Sequence, residues 1–374
     1  MDVSEAWAEF CEALARAGDV VLKGPDTPLD RAEGYRYLSR LAREMLYSCV
    51  DNADPDFPRF HQLDLVKLGA DNPDNVYLSA NIRGDRTYRI TGRRGSIAYF
   101  SIGSKANRYA VDGTMASTGE LTDADLRVKP DGTVEIIASA TRPDGVEQGT
   151  NWLPLAPDST GLVVRQTYLD RSTEQPGSWH IEQVGGPTEP ADLTPDVVAK
   201  ALQRAALSVH GTAAMFAGWT ELFMSRPNEL PDFGQEFFQR AGGDPEIFYL
   251  HGYWTLRPGE AWVIETDVPD CPYWNFQLDN WWMESLDHRR AITVNKHTAK
   301  LDKHRLDGDR LTIVVAAEDP GLHRANWIDT CGHSSGTALL RWLGADRRPI
   351  PTCRVAPLDS LGLDSRTETL GARP

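Results

Sequence analysis

"NPDNVYLSANIRGDRTYRI" (residues 72–90) and "GDPEIFYLHGYWTLRPGEAWVI" (residues 243–264) carry one pattern written twice. Pro73 meets Pro245, Tyr77-Leu78 meets Tyr249-Leu250, Gly84 meets Gly259, and Tyr88 meets Trp262. Further out, Tyr99-Phe100 pairs with Tyr273-Trp274, and "PDGTVEIIAS" from Pro130 pairs with "LDGDRLTIVVAA" from Leu306. Asn151-Trp152 pairs with Asn326-Trp327, "GLVVRQTYLD" with "TALLRWLGAD", and Pro55-Asp56-Phe57 with Pro231-Asp232-Phe233. The offset stays between 172 and 177 residues across these landmarks. A near-constant offset over so many positions is expected of a tandem duplication.

Each half opens with helical signals and continues as strands. Trp7, Phe10, Cys11 and Leu14 recur at helical spacing, and "DRAE" reads as a capping box from Asp30 to Glu33. Leu38, Leu41, Met45 and Leu46 give the second helix one apolar face. In the second half, Thr194-Pro195 is an N-cap with proline at the first helical position, and "GQEFFQRAGG" is a short helix closed by glycine. The bodies are short runs of β-branched and aromatic residues, such as "TYRITG", "VEIIASA", "AWVIETD" and "LTIVVAA". "PDGT" and "LDGD" between runs are hairpin signals.

The expected fold is mainly β with helical leaders (α+β): two antiparallel sandwich or jelly-roll-like modules in tandem. The boundaries expected are a helical leader over 1–74, a first β module over 75–185, and a linker with a second helical leader over 186–245. A second β module follows over 246–358 and a loose tail over 359–374. "SWHIEQVGG" and "TCRVAPL" are expected to close the two sheets.

A formal net charge of -15 argues against nucleic acid and anionic membrane, since both need a concentrated basic face. The opening "MDVSEAWAEF" has neither a basic n-region nor an apolar h-region, so no signal peptide is expected. The five cysteines have no CxxC spacing and are expected to be reduced, in a cytoplasmic protein. Partners expected are a small-molecule substrate and further copies of the chain.

The stretches "YWNFQLDNWW", "DGDRLTIVVAAEDPG", "ANWI" and "LLRWLG" resemble the family known as domain of unknown function 1214. The first half repeats the theme in "DGTVEIIASATRPDG" and "TNWLPLAPDSTGLVVRQTYLD", and resembles the related module that precedes it in that family. The resemblance implies a jelly-roll-like β domain with a helical appendage. It implies no reaction and carries over no catalytic residue.

The chemistry must then come from the residues. Six histidines (His251, His288, His297, His304, His323, His333) fall in the second half, against His61, His180 and His210 elsewhere. No HxH, HExxH or paired-cysteine spacing marks a zinc site, and Asp307 with Asp309 is better read as a turn than as a calcium loop. Neither a metal nor an organic cofactor is expected. No GxSxG elbow, Walker loop or dinucleotide fingerprint is present, although "DTCGHSSG" places Cys331, His333, Ser334 and Ser335 together.

The strongest segment is "QLDNWWMESLDHRR" (residues 277–290). Alternation along "YWNFQLDNW" puts Trp274, Phe276 and Leu278 on one face and Tyr273, Asn275, Gln277 and Asp279 on the other. A carboxylate held against indoles has a raised pKa, which suits acid–base work; an aspartate capping a loop is the bland alternative. The expected catalytic residues are Asp279, Glu284 and His288. Trp281, Trp282, Arg289, Arg290 and His297 are expected to bind substrate, in the second half or between the halves. The function expected is hydrolysis or elimination on a carbohydrate or hydrophobic ring compound; the alternative is a non-catalytic binding or assembly protein. Asn151-Trp152 and Asn326-Trp327 occur in both halves and are expected to be structural.

Overall fold

The computed structural model describes residues 2–63, 66–144, 150–303 and 308–361. His304, Asp307 and the tail beyond residue 361 lie outside them. The chain is mainly β, with several antiparallel sheets and few helices.

Helix α1 (Val3–Val21) starts at a capping box between Asp2 and Glu5. Its buried face is Ala6, Phe10, Ala17, Val20 and Val21, whereas Trp7 and Cys11 are exposed. The apolar spacing therefore misplaces the face. Small residues turn inward because α1 lies against α3 (Pro195–Phe223), where Ala6 and Phe10 meet Ala199, Leu202, Ala205 and Ala206. Helix α2 (Pro28–Leu46) is capped by Thr27, whose Oγ1 accepts the Asp30 N–H at 3.1 Å, with Pro28 at the first position. The Asp30–Glu33 box does not form, because both carboxylates turn to His333 instead. Helix α3 begins at Thr194-Pro195 as expected, and α4 (Gln235–Arg240) is short.

The first body contains β1 (His61–Gln62), β2 (Asn75–Asn81), β3 (Tyr88–Arg93), β4 (Tyr99–Arg108) and β5 (Thr114–Thr122). It continues with β6 (Thr133–Ser139), β7 (Asn151–Pro154), β8 (Gly161–Thr167) and β9 (Ser178–Gln183). The second body contains β10 (Ile247–Thr255), β11 (Glu260–Asp267), β12 (Tyr273–Asp279), β13 (Thr293–Asn295) and β14 (Leu301–Asp302). It ends with β15 (Arg310–Ala316), β16 (Asn326–Asp329), β17 (Ser335–Leu343) and β18 (Thr352–Pro357). Strand β1 falls inside the stretch read as purely helical, pairing with β2 through His61–Ser79.

Apart from the edge strands β1 and β14, which have no counterpart among the described residues, strand order is the same in the two bodies. β2-β8-β4-β5 in the first corresponds to β10-β17-β12-β13 in the second, and β6-β3-β9 corresponds to β15-β11-β18. Even the exceptional parallel pairings match: β7 runs parallel to β6, and β16 to β15. Strands β9 and β18 close their sheets at the edge. Within each body the two sheets bury their facing side chains. Ile90, Phe100, Ile102, Ile136 and Val164 fill the first core; Trp254, Trp262, Trp274, Phe276 and Trp342 fill the second. A separate core joins α1, α2 and α3 to the outer face of β10 and β17, through Val21, Leu41, Phe216, Phe223, Tyr253 and Leu339.

The two Asn-Trp pairs do the same thing in each body. Asn151 Nδ2 donates to the Arg127 and Glu135 carbonyls at 3.0 Å each, and its Oδ1 accepts the Arg127 N–H at 2.7 Å. Asn326 repeats this with Lys300 and Thr312, at 2.9 and 3.0 Å, and with the Lys300 N–H at 2.8 Å. The neighbouring indoles are half-buried, and each donates to a carbonyl, of Ser139 or Ala316. Asn326→Ala would leave three backbone groups without these partners, so a loss of about 2–3 kcal/mol is expected in urea unfolding.

Candidate functional site

Strand β12 divides its side chains as alternation requires. Trp274, Phe276 and Leu278 enter the second core, while Tyr273, Asn275 and Gln277 face the loop before β2. The Tyr273 hydroxyl donates to Asp74 Oδ2 at 2.7 Å, and Asn275 Nδ2 to Asn72 Oδ1 at 3.1 Å. Gln277 Nε2 reaches the Asp71 carbonyl at 2.8 Å and Asp279 Oδ1 at 2.5 Å. Asp279 is fully buried and its Oδ2 has no hydrogen-bond partner among the described residues. Burial, with Asp71 nearby, pushes its carboxyl up to about 8.

The other residues of that segment scatter. Asn280 Oδ1 accepts the N–H groups of Trp282 and Glu284, making a tight turn in which Met283 takes a φ of 57°. The turn sends Trp281 and Trp282 under the leader helices rather than into a site. A Cβ on Gly34 would stand 2.6 Å from the Trp282 ring, and one on Gly24 2.7 Å from it. Glu284 is buried against Arg40 at 2.7 Å and Asn280 at 3.0 Å; burial raises its carboxyl, opposed by Arg40. His288, Arg289, Arg290 and His297 are exposed. Arg289 folds back onto Asp287, Arg290 pairs with Asp329, and His297 stands 3.8 Å from Asp170. The expected trio Asp279, Glu284 and His288 therefore does not converge on one site, and neither do the residues expected to bind substrate. Their proximity in sequence is undone by the turn at Met283.

Cys331 is no better placed for nucleophilic work. Burial and Asp329 push its thiol up to about 11. His333 is committed to Asp30 at 3.1 Å and Glu33 at 3.2 Å, fastening α2 to the second body. Burial opposes the imidazolium, but these two hydrogen bonds outweigh it and raise the pKa to about 9. A raised histidine pKa gives stability that is full below the unfolded value, about 6.5, and is lost as pH rises through about 9. His333→Gln is expected to remove that fall from the pH dependence of the melting temperature.

A concave site lies elsewhere, between the two bodies. A cavity of about 180 Å³ is bounded by the loop before β2, by Tyr77, Val163 and Arg165 of the first body, and by Tyr249, His251 and Arg341 of the second. Phe216 and Trp219 of α3 and Phe238 of α4 also line it. Its two sides carry matching residues. Tyr77 stands opposite Arg165 on β8, and Tyr249 opposite Arg341 on β17. The Tyr77 hydroxyl accepts the Asn72 N–H at 3.0 Å, and the Tyr249 hydroxyl accepts the Asp244 N–H at 2.7 Å. Each arginine crosses to the other half: Arg165 Nη2 donates to the Gly242 carbonyl at 2.7 Å, and Arg341 Nη2 to the Ala70 carbonyl.

The symmetry is broken at a few positions. On β2 Ser79 pairs with Val163, whereas on β10 His251 pairs with Leu339. The His251 ring packs against Phe223 and Phe238, with centroids 5.1 and 4.5 Å away. Burial, reinforced by Arg341, holds its imidazole well below the ordinary value, and Nδ1 has no hydrogen-bond partner among the described residues. Asn75 Oδ1 and Arg165 Nη1, also on residues lining the cavity, lack hydrogen-bond partners among the described residues too. Among the described residues, no group of three or more histidine, cysteine or carboxylate side chains could hold a metal ion. No helix among them is long and apolar enough to cross a membrane.

Tyr77, Tyr249, Arg165 and Arg341 were all visible in the aligned repeats. Divergence between the halves points to residues 279–290, whereas the cavity pairs Tyr77 with Tyr249 and Arg165 with Arg341, residues the halves have in common.

Over 95% of its length and 97% of the other's, the chain is similar to an uncharacterized protein from Burkholderia cenocepacia of known crystal structure, with 45% identity and a TM-score of 0.89. The VPA0106 protein from Vibrio parahaemolyticus is matched over 91% of this chain and 100% of that one, at 12% identity and a TM-score of 0.49. No curated protein matches the chain. Residues 78–168 match the family described as "Protein of unknown function (DUF1214)". That match falls on the first body, whereas the motifs had pointed most strongly to the second. By these matches, the chain belongs to the DUF1214 family, whose function is unknown.

Proposed function

We propose that the protein binds a small organic compound in the cavity between its two bodies and acts on it by proton transfer, without an organic cofactor. The observation that carries this is His251: a neutral imidazole on the cavity wall, present only in the second half, with a nitrogen that no described residue satisfies. A neutral imidazole can accept a proton from a bound substrate and return it to a leaving group, which suits elimination or hydrolysis. The apolar lining of Phe216, Trp219 and Phe238 favours a hydrophobic ring over a sugar, whose hydroxyls would find few partners there.

A second reading, non-catalytic binding, is favoured by the surroundings of His251, which are aromatic rings rather than a carboxylate that would orient it. One experiment separates the two. Wild type and His251→Gln are incubated with a metabolite pool, then retained and consumed compounds are identified by mass spectrometry. Compounds consumed by wild type, but only retained by the variant, support the enzyme. Retention by both without consumption supports the binding protein. No compound retained or consumed by either removes both readings.

The matched strand orders, the shared Asn-Trp geometry and the reciprocal arginine contacts support a tandem duplication of a jelly-roll-like module. The 1–74, 75–185, 186–245 and 246–358 units proposed from sequence fit that reading. A cytoplasmic location and self-association are further parts of the proposal, resting on cysteine usage and on exposed apolar side chains such as Trp7 and Tyr35.

A further inference from the structure

The charges around the two cavity arginines narrow the chemistry of the occupant, provided the cavity is the ligand site. Arg165 and Arg341 hold matching places, yet among the described residues only Arg165 has carboxylates within ion-pairing distance, Asp74 and Asp279 acting on Arg341 from farther away. Arg165 lies 3.6 Å from Glu120 Oε1 and 3.9 Å from Asp244 Oδ2. The matching positions beside Arg341 are neutral. Asn72 takes the turn position of Asp244, each with its N–H on the facing tyrosine hydroxyl. Thr293 pairs with Gln277 on β12 as Glu120 pairs with Gly103 on β4.

Arg341 is 4% exposed, and its hydrogen bonds go to Asn275 Oδ1, Gln277 Oε1 and the Ala70 carbonyl. Among the described residues no carboxylate oxygen stands within ion-pairing distance of it. A buried guanidinium with only neutral acceptors is costly unless an anion joins it.

We propose that Arg341 binds the carboxylate of a small organic acid whose single ring occupies the apolar part of the cavity. The volume fits: a cavity of about 150 Å³ accepts benzene, and this one is about 180 Å³. The nearest acids are engaged elsewhere. Asp71 accepts from Ser285 N and Oγ, Asp74 from Tyr273 and Asn295, and Asp279 from Gln277. Burial also moves Asp74 and Asp279 toward their neutral forms, which lessens their repulsion of an incoming anion.

The test compares acids with their own amides on the full chain: benzoate, phenylacetate and 3-phenylpropionate against benzamide, phenylacetamide and 3-phenylpropionamide, by calorimetric titration at pH 7. The expected result is at least one acid bound about tenfold or more tighter than its amide, as a charge-assisted pair provides. In Arg341→Met that preference disappears while amide binding persists. Should that variant not fold, Arg341→Lys must keep a preference for the acid, and the wild-type comparison stands by itself. Equal affinity for acid and amide overturns the carboxylate assignment and leaves the cavity as a binding site. A preference that survives Arg341→Met and vanishes in Arg165→Met also overturns it. If none of the six compounds binds, the cavity reading falls, and the assignment with it.

Discussion

Asp279→Asn is expected to flatten the decline of stability with pH. Asp279 is fully buried, with a carboxyl pushed up to about 8, whereas an unfolded aspartate titrates near 3.9. Between those values the native state binds the extra proton. The wild type therefore keeps its full stability below about pH 4 and loses it as pH rises toward about 8, where ionising the buried carboxyl becomes the cost. Asparagine keeps the oxygen that accepts from Gln277 and cannot ionise. The variant should match the wild type near pH 4 and exceed it by on the order of 5 kcal/mol at pH 9, from a shift of about four pKa units. Urea midpoints at pH 4, 7 and 9 check this. A constant offset across the series would mean that Asp279 is ionised throughout and serves as the anion for Arg341, which would also count against an incoming carboxylate. The fall tied to His333 lies at higher pH and persists in this variant, so the two substitutions read separate groups.

The matching landmarks in the two halves make much of this fold legible in the sequence. Landmarks such as Tyr77 and Tyr249 sit on matching strands because the spacing of a strand body fixes register. Strand β5 has no such signal: "TMASTGELT" lacks an apolar run, and although Leu121 enters the first core, Thr118 and Glu120 are held by Ser104, Ser159 and Lys105. The face of α1 was misplaced for a related reason. Alanines packed against α3 bury more completely than Trp7, and apolar spacing alone cannot tell close packing from bulk.

The site was harder to read. Residues 279–290 are dense in reactive side chains, but a four-residue turn disperses them, and turn geometry at Met283 is not encoded in residue chemistry. The cavity unites positions 172 to 176 residues apart that no local motif connects. The two bodies bring matching tyrosines and arginines together there, and only against that match do the differences at Ser79/His251 and Asn72/Asp244 acquire meaning.

Those differences predict unequal consequences for two equivalent substitutions. Arg165→Met removes the cation facing Asp244, a carboxylate that is 0% exposed and keeps the Ser101 hydroxyl at 3.0 Å. Glu120 retains Lys105 at 3.0 Å, so the uncompensated charge falls on Asp244. Breaking a buried pair in this way costs about 3–5 kcal/mol, because one ion is left without its partner. Adding Asp244→Asn should restore most of the loss, since Asn72 already fills the matching turn with an amide in the other half. Arg341→Met leaves only neutral acceptors behind and should cost less than Arg165→Met, about 1–3 kcal/mol. Equilibrium unfolding of the two single variants and of Arg165→Met/Asp244→Asn supplies the comparison. Equal losses for the two arginines, or no rescue by the amide, would show that Glu120 and Asp244 do not set them apart. The asymmetry that leaves Arg341 open to an anion would then have no energetic basis.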